Sequence, residues 1–139
     1  TLFRSLSSPR KIRSFEGYPP AGLFSPKGNF VVLWTSDIVE IYNAISGELN
    51  RKLLEKGDIV AVKFITNQAL IVSSREDVGN FLRMFDVISG EQLTALYIEE
   101  RPNCLGVCLN SLHVAVGLYG SDVRLIQVHL PRSRRLSHQ

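Results

Sequence analysis

The sequence predicts an all-β protein built as an array of short antiparallel sheets, one sheet per repeat. Three observations carry that expectation. Tyr42-Asn43-Ala44-Ile45-Ser46-Gly47-Glu48 returns as Phe85-Asp86-Val87-Ile88-Ser89-Gly90-Glu91, 43 residues further on, and self-similarity at that period marks a unit that recurs as one small sheet. Hydrophobic runs of five to eight residues alternate in period two and are bounded by Gly, Pro, Asn, Asp and Ser. Phe30-Val31-Val32-Leu33-Trp34 is apolar on both faces, which requires cover on both sides, as when sheet stacks on sheet.

The first unit opens with Gly22-Leu23-Phe24 and turns at Ser25-Pro26-Lys27-Gly28-Asn29. Proline fixes an early turn position and glycine supplies the reversal. The run from Phe30 to Trp34 follows. Thr35-Ser36-Asp37 turns the chain into Ile38-Val39-Glu40-Ile41-Tyr42, and Ile45-Ser46-Gly47-Glu48 turns it into Leu49-Asn50-Arg51-Lys52-Leu53-Leu54. The unit therefore has four strands and three hairpin turns.

The second unit repeats the layout. Ile59-Val60-Ala61-Val62-Lys63-Phe64 alternates, and Asn67-Gln68 turns into Ala69-Leu70-Ile71-Val72-Ser73-Ser74. Residues 75–80 read as a longer polar loop before Phe81-Leu82-Arg83-Met84-Phe85-Asp86-Val87. Gln92-Leu93-Thr94-Ala95-Leu96-Tyr97-Ile98 closes the unit after Ser89-Gly90. The third unit has Cys104-Leu105-Gly106-Val107-Cys108-Leu109, His113-Val114-Ala115-Val116-Gly117-Leu118 and Val123-Arg124-Leu125-Ile126-Gln127-Val128. Pro131 and a basic tail then stop it before a fourth strand, because proline cannot donate to a ladder.

These residues resemble the WD-repeat family of β-propellers. Phe24-Ser25-Pro26-Lys27-Gly28-Asn29 is similar to that family's turn between the first two strands of a blade. The third-strand pattern recurs as Val39-Glu40-Ile41-Tyr42-Asn43, Leu82-Arg83-Met84-Phe85-Asp86 and Val123-Arg124-Leu125-Ile126-Gln127. The family's Trp-Asp pair is replaced by Tyr-Asn, Phe-Asp and Ile-Gln, and no Gly-His precedes the first strands. The resemblance implies four-stranded antiparallel blades in an incomplete ring spanning residues 11–130. The blades are expected at 21–55 and 59–98, with an incomplete one at 104–130. It also implies that residues 11–15 (Lys11-Ile12-Arg13-Ser14-Phe15) are the outer strand of a blade whose other strands lie elsewhere. A ring needs four to eight blades. The chain is therefore expected to be part of a longer propeller, with Thr1 an excision point, or to self-associate so that two chains complete one.

Charge divides the chain. The net charge is +3, yet residues 1–13 hold Arg4, Arg10, Lys11 and Arg13 with no acid, and the tail holds Arg132, Arg134 and Arg135. The remainder has nine basic residues against 13 acidic. A basic segment at 1–10 and a basic tail at 131–139 thus flank a mildly acidic body. No apolar run approaches the ~18–20 residues of a membrane-spanning helix, and no secretory leader pattern is present. Hydrophobic residues make up 45% and charged residues 21% of the chain, which excludes disorder throughout.

Cys104 and Cys108 lie on one strand, roughly 13 Å apart along an extended backbone, too far for a disulfide. They are expected to be buried free thiols of an intracellular protein, cytoplasmic or nuclear. The chain has no phosphate loop, dinucleotide fingerprint or nucleophile elbow. His113, His129 and His138 are scattered, and one strand cannot bring Cys104, Cys108 and His113 together on a metal. Glu76-Asp77 and Glu99-Glu100 read as solvated neighbours that repel each other. No enzymatic activity, cofactor or metal is expected.

The expected role is a non-catalytic scaffold for protein–protein interaction. By analogy with propellers its contact face carries the loops at 16–20, 35–37, 56–58, 75–80, 99–103 and 119–122. Tyr18, Arg75, Arg101 and Tyr119 on those loops are residue types that anchor interfaces. The alternative is nucleic-acid or anionic-surface binding through the basic ends, which would weaken steeply with salt. Arg134-Arg135-Leu136-Ser137 resembles a site for basophilic kinases and makes Ser137 the candidate phosphorylation site.

Overall fold

The computed structural model describes residues 21–54, 57–108, 112–120 and 122–129. They form eleven strands in three antiparallel sheets. The first sheet runs β1 (Ala21–Phe24), β2 (Phe30–Trp34), β3 (Val39–Asn43) and β4 (Leu49–Leu54). The second runs β5 (Asp58–Phe64), β6 (Ala69–Glu76), β7 (Gly79–Asp86) and β8 (Gln92–Ile98). The third has β9 (Pro102–Cys108), β10 (His113–Leu118) and β11 (Val123–Gln127). Each sheet is a meander in chain order, because every connection is short enough to keep successive strands adjacent. The expected strand at 11–15 and both basic ends lie outside the described residues.

The second sheet is covered on both faces, and its strand pattern shows why. Leu70 and Val72 on β6 join Val32, Val39, Ile41, Val62, Phe64, Phe85 and Val87 in a core shared with the first sheet. Ala69 and Ile71, pointing the opposite way, join Leu82, Met84, Ile98, Leu105, Val114 and Val116 in a second core shared with the third. Successive strand residues face opposite sides, so a run such as Ala69-Leu70-Ile71-Val72 on β6, apolar at every position, fits between two layers. Full burial of each aliphatic side chain contributes about 1.5–3 kcal/mol. Leu23, Phe24, Lys63, Phe64, Gly106 and Val107, from the three first strands β1, β5 and β9, line one shared cavity of about 270 Å3, so the sheets converge along these strands.

The 43-residue repeat is a hydrogen-bonding device. In the β3–β4 turn the Asn43 carboxamide oxygen accepts from the N–H groups of Ile45 and Ser46, both at 2.9 Å. In the β7–β8 turn the Asp86 carboxylate accepts from Ile88 and Ser89 at 2.8 and 3.1 Å. Ser46 and Ser89 then accept from Glu48 and Glu91. Gly47 and Gly90 take φ of 76° and 77°, a conformation that costs other L-residues about 1–2 kcal/mol. At the same end Ala44 N–H donates to the Asn29 carbonyl, Val87 to Gln68 and Val128 to Leu112. The third unit thus keeps the bond where its sequence has lost the repeat.

Three expectations are corrected. Residues 75–80 are not a long loop: β6 and β7 pair out to Glu76 opposite Gly79, leaving Asp77 and Val78 as the turn. Gly79, at φ 143°, permits the tight exit. Glu76 is not a solvated neighbour of Asp77, because it sits on β6 and is held by Arg83 and Ser74. Cys104 and Cys108 are not buried but exposed, with no disulfide. Leu105 on β9 faces the second core, so the alternating cysteines face the other side of the third sheet, which no described sheet covers.

Candidate protein-interaction surface

The turns β2–β3, β6–β7 and β10–β11 share one end of the structure with the connections β4–β5 and β8–β9. Hydrogen bonds tie these pieces together. Ile59 N–H donates to the Ser36 carbonyl at 2.7 Å, linking second sheet to first. Asn80 Nδ2 donates to the Glu100 carbonyl at 3.3 Å, and Tyr119 N–H donates to the Arg101 carbonyl at 3.0 Å. The backbone at this end is therefore fixed while its side chains remain accessible.

Arg101 and Tyr119 come together. The guanidinium carbon of Arg101 lies 5.1 Å from the Tyr119 ring centroid, and Tyr119 is 58% exposed. A cation over an aromatic face holds both side chains in a shared pose at an exposed site. Alongside, Arg124 Nη2 meets Glu100 Oε2 at 2.6 Å. Arg75 stands apart from this pair, at the end of β6, where its Nη2 lies 3.4 Å from Asp58 Oδ2 of β5. Its Nε is buried without a hydrogen-bond partner. Tyr18 and Ser137 lie outside the described residues.

The sequence reading missed the strongest polar cluster in the molecule. Arg83 Nε and Nη2 donate to the two oxygens of Glu76, both at 2.8 Å, with side chains only 12% and 7% exposed. The guanidinium carbon also stands 4.5 Å from the Phe81 centroid, and Phe81 meets the Tyr97 ring edge-on. Hydrogen bonding to Glu76 raises the Arg83 pKa; partial burial opposes this, and attraction to the same carboxylate adds to it. Arg83 Nη1 also donates to Gln92 Oε1 on β8 at 3.1 Å and Ser74 donates to Glu76, so the cluster acts as a clamp that ties the β6–β7 hairpin to β8. An arginine inside an otherwise apolar strand was the one available sequence signal. Its partner was hidden by reading Glu76 as loop.

Equivalent positions in the three sheets carry related groups. Glu40 on β3, Arg83 on β7 and Arg124 on β11 occupy the same place in their third strands. Glu40 is 2% exposed and accepts from the Tyr42 hydroxyl at 3.0 Å. Arg83 and Arg124 pair with Glu76 and Glu100. Among the described residues no cluster of three or more His, Cys, Asp or Glu side chains could hold a metal ion, and no helix is long and apolar enough to cross a membrane. The chain matches no known family model and no characterised protein closely enough to assign a relative.

Proposed function

We propose that this chain is a non-catalytic protein–protein interaction module, part of a WD-repeat-like propeller, and that it meets its partner with the end bearing Arg101 and Tyr119. The observation that carries this reading is the Arg101–Tyr119 stack, exposed yet fixed by the Tyr119-to-Arg101 backbone bond. Side chains ordered before contact lose less entropy on binding, and Tyr and Arg dominate interface energies when a partner buries them. The four-stranded meanders and convergent first strands support the blade reading, and a stacked array keeps the loops in place while their sequences vary. Binding would proceed by desolvation of the stack and hydrogen bonding at its rim.

A photo-crosslinking residue placed at Tyr119, and in a second protein at Ile45 on the opposite end (86% exposed), tests the assignment in cell extract. Discrete adducts should form from position 119 and fall at least tenfold when Arg101→Ala is added. Equal adducts from both positions, or none from 119, overturn it.

A further inference from the structure

Strand β3 is buried on both faces, yet only one of them has a described neighbour. Val39 and Ile41 point into the core shared with the second sheet. Glu40 and Tyr42 alternate with them and so point the other way, but are only 2% and 4% exposed. Among the described residues no sheet stands on that side: the second packs against Val39 and Ile41, and the third lies beyond the second. The flanking side chains do not produce this burial. Lys52, opposite Glu40 on β4, is exposed, and Leu33, opposite it on β2, is half-buried. The third sheet shows what a face without cover looks like. Its Cys104 and Cys108 are exposed, and even Ala115 and Gly117 on the interior strand β10 are half-buried.

The burial is that of a single chain, so what covers Glu40 and Tyr42 is part of the same chain. Beyond the described residues only 1–20 and 130–139 are long enough to lie across a sheet. Residues 130–139 follow β11, with the second sheet between it and this face. Residues 1–20 lead into β1, which shares its sheet with β3. Gly22, Leu33 and Glu40 stand level across three strands. With strands ~4.8 Å apart and packed layers ~10 Å apart, about five extended residues lead from β1 to a place above Glu40. Arg13 precedes Ala21 by eight residues, and Lys11 and Arg10 come just before it.

Charge selects the same segment. A carboxylate is tolerated in an interior where hydrogen bonds and a cation replace its water. Tyr42 donates to Glu40 at 3.0 Å, and residues 1–13 hold four cations and no acid. The other opening in the fold does not suit them. The cavity of about 260 Å3 beside the β11 edge is bounded by Met84, Ile126 and Arg83, and none of its described lining residues is acidic.

We propose that residues 1–20 fold over the outer face of the first sheet and set a cation from Arg10, Lys11 or Arg13 on the Glu40 carboxylate, with Tyr42 covered beneath. The contact is made within one chain. It closes the first sheet with the segment that the propeller resemblance gives to a blade completed elsewhere, and it leaves the outer face of the third sheet as the free side of the array.

The test uses the full chain with a photo-crosslinking residue in place of Lys52, exposed beside Glu40. Illumination of a dilute sample, followed by mass spectrometry, should map adducts to residues 1–20 of the same chain. Combining Arg10→Gln, Lys11→Gln and Arg13→Gln should cut the yield at least threefold, as should Glu40→Gln, with far-UV circular dichroism reporting the variants folded. If Glu40→Gln fails to fold, the triple variant, which leaves every described residue intact, decides the question. Four results overturn the proposal: no adducts, adducts within residues 130–139, adducts between chains seen as a doubled mass on a denaturing gel, or a yield that the triple variant leaves unchanged.

Discussion

The first two sheets match at one end and part company at the other. At the β3–β4 and β7–β8 turns the same side chains accept from the same backbone positions, with Asn43 and Asp86 as counterparts. At the opposite end the first sheet turns through 35–37, held by a Thr35–Asp37 hydrogen bond. The second has a tight hairpin clamped by Glu76 and Arg83. Both ends carry hydrogen bonds between neighbouring units: Lys27 N–H to Asn67 and Asn67 to Asn29 at the matched end, Ile59 N–H to Ser36 at the other. The units differ in how each closes its own hairpin at the second end, and the proposed contact surface lies there.

Substitutions at equivalent positions sharpen that contrast, each read as a change in urea unfolding of the full chain. The largest effect is expected from Arg83→Ala, which strands a buried carboxylate and should cost about 3–5 kcal/mol. The Arg83 guanidinium brings no pH dependence near neutrality. The raised arginine pKa means its contribution is complete below the unfolded value and lost only as pH climbs through the folded one, far into alkali. A loss under 1 kcal/mol would show the clamp to be dispensable.

Next comes Met84→Ala, 2% exposed in the second core, against Ile41→Ala, fully buried in the first. Both should lose about 2–5 kcal/mol. The cavity beside Met84 gives its surroundings room to relax, so the Met84 loss should be the smaller; the reverse order would contradict that reading. Asp86→Ala and Asn43→Ala each remove an acceptor of two backbone bonds and should cost about 1–2 kcal/mol. The cost should be larger at Asp86, which is 3% exposed and leaves its donors farther from water. Smallest is the difference between Gly90→Ala and Gly47→Ala. Both suffer the left-handed backbone cost of about 1–2 kcal/mol. A Cβ at Gly90 would also press on the Arg51 side chain, which can shift at slight further expense.

Much of this architecture was legible in the chain because its causes are local. The strand runs, the Pro-Lys-Gly turn and the Asn/Asp-x-x-Ser-Gly device act within a few residues, so spacing and residue type placed all eleven strands to within two residues at either end. The exception among the hairpins, β6–β7, was misread because polarity at 75–80 looked like loop. What makes those residues strand is a partner seven positions away, Arg83 for Glu76, and no local rule supplies it. Arg101 and Tyr119 could be named from residue type and placement, but their stacking depends on two turns from different hairpins meeting.

What the sequence alone determined is therefore the all-β repeat, its four-strand rhythm and the turn chemistry. The tertiary structure decided which side of each strand found cover. Leu105 went to a core and Cys104 and Cys108 to an open face, because alternation allots residues to two sides but only a neighbouring sheet makes one of them an interior. It also decided that the β11 edge adjoins a cavity, since that space exists only between two sheets. Side-chain period is a property of one strand, whereas burial is a property of what stands opposite it.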